Sequence, residues 1–486
     1  MRQITLATAT LLPLCLLAAR AEAGGLSVAR FGGEHGHPTT DNPTAIYYNP
    51  AGIGLSHGVN VFLDGSFALR SIDYYRAAPA EPEDNEVPEP ADAKGANNGQ
   101  ATLFNVIALP MIGATAKFGD KPLAGAVGLG FYVPFGGTAI WGKDESFANS
   151  TTYPGPYDGT QRWYSIDGTI RSLFFTAAAA LSIDKRFHLG LSGNLIKSEI
   201  NSVRARIATG SNDLTLEGRS LLKADGWQGS LGAGVVVEPI RDELRLGFSY
   251  QSRPNIAGGM TLKGKLKNNY GAVSEQDVQM TQDMPDIFRL GASWRPAKYI
   301  ELRLHGDYTR WSAFTNQCIG AQDLPCEVKA DGSAVPDAEV EGGKNGVIVN
   351  LPRDWNDTFG VRAGMSYWVR KNIELMTGAG YDSSAIPDST LEPALLDFNK
   401  VSVALGGRFA LTDWLQAALT YTSFYYLPRN TAGEPGQTGD LDACEDQERA
   451  CQAVYKAPSR GPDAGGSYSQ YIGVINVNLQ GSFDVL

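Results

Sequence analysis

The chain lacks a surplus of positive charge. It has 41 Lys and Arg against 52 Asp and Glu, which gives a formal net charge of −11 over 486 residues. Because nucleic acid is bound through clustered basic side chains, this balance predicts no nucleic-acid partner. Charged residues make up only 19% of the chain, whereas 10% of its residues are aromatic and 56 are glycine.

A second absence concerns long apolar segments. Beyond residue 23 there is no run of about 18 apolar residues, so no transmembrane helix is predicted in the mature chain. Residues 1–23 combine a basic start at Arg2, an apolar core and small residues at Ala21 and Ala23, which is typical of a secretory signal peptide. An N-terminal membrane anchor is the weaker alternative, because the apolar core is short. The mature chain is therefore either soluble and exported, or crosses a membrane as strands.

The sequence is also poor in catalytic and metal-binding motifs. It contains neither H-E-x-x-H nor a P-loop, and it has only five histidines. His35 and His37 form a His-x-His pair, but no neighbouring residues complete a metal-ligand set, and polar packing is the favoured interpretation. His188 and His305 lie in strand patterns without a convincing nucleophile. The sequence therefore predicts no enzyme, no cofactor and no metal.

Cysteine is scarce and falls into local pairs. Beyond Cys15 in the signal segment, the remaining cysteines are Cys318 with Cys326, and Cys444 with Cys451. Neither spacing matches a C-x-x-C redox or metal motif. Since an exported protein meets an oxidising compartment, each pair is predicted to form a disulfide within a loop.

Alternation of apolar and polar residues recurs along the chain. In YIELRLHGDYTRW at 299–311, Leu302, Leu304 and Tyr308 share one face, whereas Arg303 lies on the other. A soluble β-sandwich has the same alternation. Here, however, the apolar faces end in aromatic residues, as lipid-facing strands do at the membrane interface.

The connections between these segments alternate in length. Short turns such as 119–122 and 184–186 alternate with long polar loops near 77–98 and 312–354. This layout, with about 14 strands, is typical of outer-membrane barrels, and a sandwich gives no reason for it. The predicted fold class is therefore all-β: a transmembrane antiparallel β-barrel of about 14 strands formed by residues 59–486.

Residues 24–58 do not alternate. Asp41 or Asn42 can cap a short helix that has Pro43 at its first position and ends near Tyr48. The segment is too short to be an independent domain, and a barrel of this size has a lumen that its own side chains do not fill. We therefore predict that residues 24–58 form a hatch inside the barrel.

One strand contains a residue that strands normally exclude. In GAVGLGFYVPFGG at 125–137, Pro134 stands between Gly130 and Gly136. Proline donates no hydrogen bond to a β-ladder, so it belongs at an edge, at a bulge or at a strand start. The pattern thus raises the question of what this strand does at Pro134.

Four stretches resemble a known family when taken in order and spacing. They are AIYYNPAGI at 45–53, GFYVPFG at 130–136, the segment 284–314 and the segment 379–409. Together they resemble the FadL/TodX family of outer-membrane transporters for hydrophobic compounds. The similarity runs from about residue 26 to the C-terminus.

The resemblance implies a barrel with a hatch and passive transport. A hydrophobic ligand, such as a long-chain fatty acid or an aromatic hydrocarbon, would land between the extracellular loops, move beside the hatch and leave sideways where the third strand is kinked. Strand pairing is then expected to open around 130–136, with residues 49–51 packed against the inside of that opening. The implied site residues are Asn49, Pro50 and Ala51 as the hatch motif, Gly130, Pro134, Phe135 and Gly136 as the wall opening, and Tyr47, Tyr48, Phe131 and Tyr132 as the ligand pocket or, alternatively, as simple packing.

Partners and location follow from the same resemblance. The protein is expected to be a monomer in the outer membrane, with a hydrophobic small-molecule substrate, outer-membrane lipid and the barrel-assembly machinery as partners. A carboxylate on the ligand could pair with a basic residue, although lumen charges paired with Glu301 or Asp307 are the favoured alternative. The candidate basic residues are Arg30, Arg204, Arg206 and Arg303.

Three other functions remain as alternatives. A non-selective porin for small polar solutes needs an open lumen, which residues 24–58 oppose. An outer-membrane barrel enzyme needs a nucleophile with a positioned histidine. A soluble β-rich adhesin would not need detergent for extraction.

Overall fold

The computed structural model describes residues 30–78, 87–120, 122–207, 212–256, 259–329, 334–432 and 462–484. The predicted signal peptide and the predicted Cys444–Cys451 pair lie outside these residues, so both stay predictions. Most of the described residues lie in β-strands, because the alternating segments expose one face and bury the other.

In chain order the strands are β1 (Val59–Arg76), β2 (Gly99–Asp120), β3 (Leu123–Ile140), β4 (Asp167–Ile183), β5 (Phe187–Arg206), β6 (Gly218–Ile240), β7 (Leu244–Gln251), β8 (Met260–Asn268), β9 (Ser274–Gln282), β10 (Ile287–Ala297), β11 (Ile300–Thr309), β12 (Asn316–Ala321), β13 (Val347–Pro352), β14 (Thr358–Arg370), β15 (Ile373–Asp382), β16 (Lys400–Ala410), β17 (Leu415–Tyr426), β18 (Arg429–Asn430) and β19 (Ser467–Phe483). Within the described residues, 14 of these strands, namely β1–β7, β10, β11, β14–β17 and β19, pair antiparallel in sequence order. The barrel closes where β1 pairs with β19, from Val59 opposite Phe483 onward. The predicted fold class is confirmed.

Helices are few and short in this part of the chain. The only α-helix among the described residues is α1 (Ala45–Tyr48). No helix that the structure describes combines the length and apolarity needed to cross a membrane. The 3-10 helices are Gly33–His35, Pro50–Leu55, Glu145–Phe147, Gly155–Asp158, Thr160–Trp163, Trp311–Ala313, Asp337–Glu339 and Asp388–Thr390.

The two faces of the barrel strands carry opposite chemistry. On β11, Leu302 and Leu304 lie on the outer face and are 38% and 58% exposed, whereas Arg303 between them faces the lumen and is 4% exposed. An apolar exterior with a polar, lined interior is what a lipid-embedded barrel requires. The predicted alternation of the 299–311 segment is therefore confirmed.

A second sheet rises from the barrel at the end that carries the long loops. Residues 220–225 of β6 pair with β8, and the sheet continues through β9, β12 and β13. We call these four strands with the paired part of β6 the loop sheet. Cys318 of β12 forms a disulfide with Cys326 in the following loop, at a Cα–Cα distance of 6.3 Å, as predicted.

A buried ion cluster ties the other long loops together. The Arg162 side chain is fully buried and its guanidinium lies 3.1 Å from the Glu217 carboxylate. Arg219 bridges Glu217 at 2.7 Å and Asp158 at 2.5 Å. Burial of Asp158 raises the pKa of its carboxyl, but Lys143 and Arg219 lower it further, so this pKa lies below its ordinary value. Arg162 also donates to Ala96 O at 2.5 Å, so the cluster holds three loop segments in one arrangement.

Candidate functional site

Residues 30–58 lie against the inner face of the barrel wall, and we call them the N-terminal segment. Nearly all of their side chains are buried. The segment hydrogen-bonds to several strands: Gly32 N donates to Asp64 of β1 at 2.9 Å, and Ser249 Oγ of β7 donates to Tyr48 O at 2.6 Å. Helix α1 ends at Tyr48 as predicted, but it begins at Ala45, two residues later than expected.

Asn49 anchors the N-terminal segment through all of its side-chain polar atoms. Its Nδ2 donates to Pro38 O at 2.8 Å and to Val235 O of β6 at 3.1 Å. Its Oδ1 accepts a hydrogen bond from Ala51 N at 3.1 Å, which caps the 3-10 helix Pro50–Leu55. Pro50 fits the first position of that helix because its missing N–H would have no partner there.

Glycines on the wall make this close approach possible. A Cβ at Gly234 would lie 1.9 Å from Asn49 Oδ1, and one at Gly190 would lie 2.2 Å from Ala51 N. The hatch motif is thus seated on β5 and β6. The residue that touches Gly130 of β3 is instead Ile46, whose Cγ2 would lie 3.0 Å from a Cβ there. Ile46 therefore makes the contact with Gly130, and the packing of residues 49–51 inside the opening of the third strand stays a prediction.

Replacement of Gly234 by alanine is expected to displace the hatch motif. The new Cβ overlaps Asn49 Oδ1, and such overpacking costs about 1–3 kcal/mol. Limited proteolysis of the folded barrel in detergent should then cut the N-terminal segment faster. Gly229→Ala is the matched control, because the same strand presents Gly229 outward and the nearest atom to its Cβ, Asn194 O, is 3.9 Å away. Equal cleavage of both variants would contradict the proposed anchor.

Pairing between β2 and β3 stops partway along the strands. The ladder runs from Asp120 opposite Leu123 to Met111 opposite Tyr132 and goes no further. Beyond it, β2 still pairs with β1 and β3 still pairs with β4. Towards the loops the two strands meet again, where Asn105 Nδ2 donates to Thr138 O at 2.7 Å. Residues 106–110 and 133–137 therefore face each other across a gap in the ladder, about 17 Å long at roughly 3.3 Å per residue.

A β-bulge explains why the ladder ends there. Opposite β4, Tyr132 pairs with Phe174 and Phe135 pairs with Ser172, so two residues of β3 stand against Leu173 alone. The extra residue reverses the faces of the strand. Phe135 then points into the lumen, where it lines two cavities.

Strand β2 has no such bulge, so the two strands fall out of phase. The register that joins Met111 to Tyr132 would place Phe135, which points inward, opposite Ala108 of β2. On β2 the inward residues are the buried Ile107 and Leu109. Side chains on opposite faces cannot share a regular antiparallel ladder. The family resemblance implied an opening around 130–136, but Gly130 lies in the intact ladder opposite Gly113, and the gap begins only after Tyr132.

Pro110 lies at the β2 edge of the gap and was missed by the sequence reasoning. It directly precedes Met111, where the pairing of β2 with β3 ends, and, like Pro134, it has no N–H to leave unpaired. The two prolines thus reduce the number of orphan donors at the gap. The signal that could have identified Pro110 was a proline within the alternating segment of β2.

Three cavities lie inside the barrel near this gap, and the volume given for each is all of its empty space, counted with its open sides. The hatch cavity, of about 920 Å³, is lined by Tyr47, Tyr48, Phe135, Arg289 and other residues. A narrow cavity of about 340 Å³ shares Phe135 and Ile287 with it. The loop cavity, of about 780 Å³, lies under the loop sheet and is mainly apolar, with Ile170, Ile200, Leu222, Leu266 and Met280 in its lining.

The residues predicted to line a ligand pocket divide into three groups. Tyr47 and Tyr48 line the hatch cavity. Tyr132 is buried in packing, with its ring 5.2 Å from that of Tyr47 and 5.4 Å from that of Phe174. Phe131 lies on the outer face of β3, because its neighbour Tyr132 points inward, and it contacts Phe175 there. Phe131 therefore does not line the hatch cavity, and its role in a ligand pocket stays a prediction.

The hatch cavity carries two guanidinium groups without a carboxylate at ion-pair distance in the described residues. Arg289 lies over the Tyr47 ring at 4.7 Å, and Arg30 lies over the Phe424 ring at 4.8 Å. By contrast, Arg303 lies 3.8 Å from Glu301, which is the pairing favoured from the sequence. Of the other candidates, Arg204 lines the loop cavity and Arg206 is buried. Sequence reasoning missed Arg289, although its inward position in the alternation of β10 was visible.

Two chemical alternatives find no support in the described residues. The stretch GLSHG at 54–58 has the form G-x-S-x-G, but it begins in the last two residues of the 3-10 helix Pro50–Leu55 and ends just before β1, whereas a nucleophile elbow joins a strand to a helix. Ser56 Oγ donates to Ile53 O at 2.7 Å. No group of three or more metal-ligating side chains occurs in the part of the chain that the structure covers.

Comparisons with known proteins agree with this architecture. The model of the family described as outer membrane protein transport protein (OMPP1/FadL/TodX) matches residues 15–443. No curated protein sequence matches the chain significantly. Among solved structures, a Pseudomonas aeruginosa FadL homologue has a TM-score of 0.69 at 16% identity, with 96% of this chain and 100% of that chain covered. The toluene transporter TodX of P. putida has a TM-score of 0.58 at 15% identity, with 96% and 99% covered.

The two likenesses to solved structures are below 25% identity and show the fold. The family match extends over most of the chain and includes the N-terminal segment, the gap and all the barrel strands except β19. Family and structural neighbours are transport channels rather than enzymes. The chain therefore belongs to the FadL/TodX family of outer membrane transport proteins.

Proposed function

We propose that the protein passes hydrophobic molecules across the outer membrane and releases them sideways into the lipid through the gap between β2 and β3. The gap is the observation that carries this proposal. In lipid, backbone groups must be paired, and an unpaired stretch is tolerated only where it lines an opening. Here the opening is flanked by Pro110 and Pro134 and is bordered inside by Phe135.

The route begins at the end with the long loops. A ligand would enter the loop cavity, whose apolar lining removes it from water. It would then pass the narrow cavity at Phe135 and Ile287, which also line the hatch cavity. The hatch cavity adjoins the gap through Phe135, so the last step is lateral.

We assign residues 24–58 the role of a hatch that blocks the straight path through the lumen. The anchoring of Asn49 to β6 and the burial of the N-terminal segment support this role. Such a plug leaves little room for the steady flow of polar solutes that a porin needs. The signal peptide, the barrel-assembly partner and a monomeric state remain parts of this proposal.

The substrate class that fits best is an amphipathic acid with a long apolar chain. Arg289 and Arg30 each stack on an aromatic ring beside the hatch cavity and have no carboxylate partner within the described residues. A ligand carboxylate would complete either group with charge-assisted hydrogen bonds. A neutral aromatic hydrocarbon has no carboxylate, so it would leave both guanidinium groups without an anionic partner.

Uptake by cells that lack other routes for fatty acids tests this function. Expression of the protein should allow uptake of a labelled long-chain fatty acid and should not increase entry of a polar chromogenic antibiotic of similar mass. In planar bilayers, the purified protein should give no steady open-channel current. Stable conductance with no fatty-acid uptake would favour a porin and contradict the proposal.

A further inference from the structure

The outer faces of β4, β5 and β6 share a groove within the lipid-facing wall. Small residues open it: Ala177 pairs with Gly193, and Leu195 pairs with Gly229. A Cβ at Gly193 would meet no atom within 4 Å. The space, counted with its open side, is about 1100 Å³, and its walls include the exposed Phe175, Leu195, Leu231 and Ile256. We call it the wall groove.

A polar groove continues from the wall groove on the same face of the same strands. Trp227 of β6, which is 56% exposed, marks the boundary, and the Lys197 ammonium lies 5.4 Å from its ring centre. Towards the loops the next outward pairs are Glu199 with Asp225 and Asn201 with Lys223. An exposed tryptophan between an apolar and a charged surface is typical of the membrane interface. The polar groove therefore lies at the level of lipid headgroups.

The polar groove is lined by three basic and three acidic side chains, and not every basic side chain has an ion-pair partner in the part of the chain that the structure describes. Arg171 pairs with Glu199 at 2.7 Å, and Lys197 pairs with Asp225. Lys223 is exposed and has no carboxylate at ion-pair distance among the described residues.

The next strand places a second lysine beside this one. Lys265 of β8 stands directly opposite Lys223 in the ladder between β6 and β8 and bonds to Glu275 at 2.8 Å. Like charges that face each other across a ladder are destabilising, and an anion bound between them would relieve the repulsion. Lys263, which pairs with Asp323, and Lys267 lie on the same face, as do Glu275 and Asp277 of β9.

We propose that this face binds one phosphate-bearing lipid of the outer leaflet, with an acyl chain in the wall groove and a phosphate between Lys223 and Lys265. The order of apolar groove, tryptophan and paired lysines matches the order of acyl chain, interface and phosphate in such a lipid. The leaflet is the one on the side of the long loops, so the ligand is the phosphorylated glycolipid that forms the surface of a bacterial outer membrane. This site is separate from the transport route, because it lies outside the barrel.

The test is lipid binding to delipidated protein in detergent, followed by native mass spectrometry. The probes are bis-phosphorylated lipid A and the same lipid with both phosphates removed. The wild type should bind the phosphorylated form more tightly, by roughly tenfold for a charge-assisted contact. The double variant Lys223→Gln, Lys265→Gln should lose that preference, whereas Lys298→Gln, Lys371→Gln, which removes the same charge at the opposite rim, should keep it.

A second variant tests the groove independently of charge. Gly193→Leu fills open space and should weaken binding of both lipids, whereas Ala379→Leu, on the outer face of β15, should not. Folding of every variant is checked by the heat-dependent shift of the barrel on a gel. Equal affinity for the two lipids in the wild type, or unchanged preference in the Lys223 and Lys265 variant, would overturn the proposal.

Discussion

Deletion of Pro134 is expected to lower the uptake of hydrophobic ligand by about a hundredfold while the barrel still folds. Removing this residue leaves Val133 alone opposite Leu173, so the bulge disappears. Phe135 would then come opposite Leu109, and both of these side chains point inward. The ladder between β2 and β3 could close, and each new hydrogen bond adds about 1 kcal/mol to the cost of opening it.

The control for this deletion is a bulge elsewhere in the wall. The register between β14 and β15 shifts between Trp368 and Arg370, close to a short turn, and deletion of Val369 removes one residue there. This variant should transport at the wild-type rate. Pro134→Ala restores one backbone N–H donor but keeps the extra residue of the bulge. Its effect on uptake should therefore be smaller than that of the deletion. If the variant that lacks Pro134 took up ligand at the normal rate although its β2–β3 ladder had closed, the lateral route would be refuted.

Replacement of Arg289 by glutamine is expected to weaken the binding of a long-chain fatty acid by about tenfold to a hundredfold. Hydrogen bonds to a charged group are worth about 1.5–3 kcal/mol, and each 1.4 kcal/mol is about tenfold in affinity. The methyl ester of the same acid has no charge, so its affinity should be equal for the wild type and the variant. Titration of a fluorescent fatty acid with each protein in detergent measures both constants.

A buried arginine away from the cavity provides the comparison. Arg303 is also buried in the lumen, but it lies near Glu301 and does not line the hatch cavity. Arg303→Gln should leave the fatty-acid affinity unchanged. If Arg289→Gln weakened the acid and its ester equally, the guanidinium would act through packing on Tyr47, and the assignment of an acidic substrate would be wrong.

The sequence determined the architecture because the period of two decides which face each residue takes. That period placed Leu302 and Leu304 outward and Arg303 inward, and the structure agrees. Pro50 likewise set the end of α1 at Tyr48, since the residue before a proline avoids helical geometry.

The details of the site depend on contacts between distant parts of the chain. Asn49 is seated on β6 because Gly234 leaves space for it, and a single glycine gives no signal of which segment approaches it. The bulge at Pro134 turns Phe135 inward and leaves Phe131 outward, a distinction that depends on the register with β4. The Arg289 guanidinium donates to Tyr47 O at 3.4 Å, and its lack of a carboxylate partner among the described residues could be recognised only after the neighbouring carboxylates had been located.

Photo-crosslinking during transport tests the lateral exit most directly. A fatty acid that carries a diazirine on its chain is added to cells that express the protein. The cells are then irradiated, and the labelled peptides of the protein are mapped. We expect adducts on both sides of the gap, in residues 106–110 and 133–137, and their loss in the Pro134 deletion. Adducts confined to the N-terminal segment and the short-turn end of the lumen, with none at the gap, would show that the ligand leaves along the barrel axis and would contradict the account.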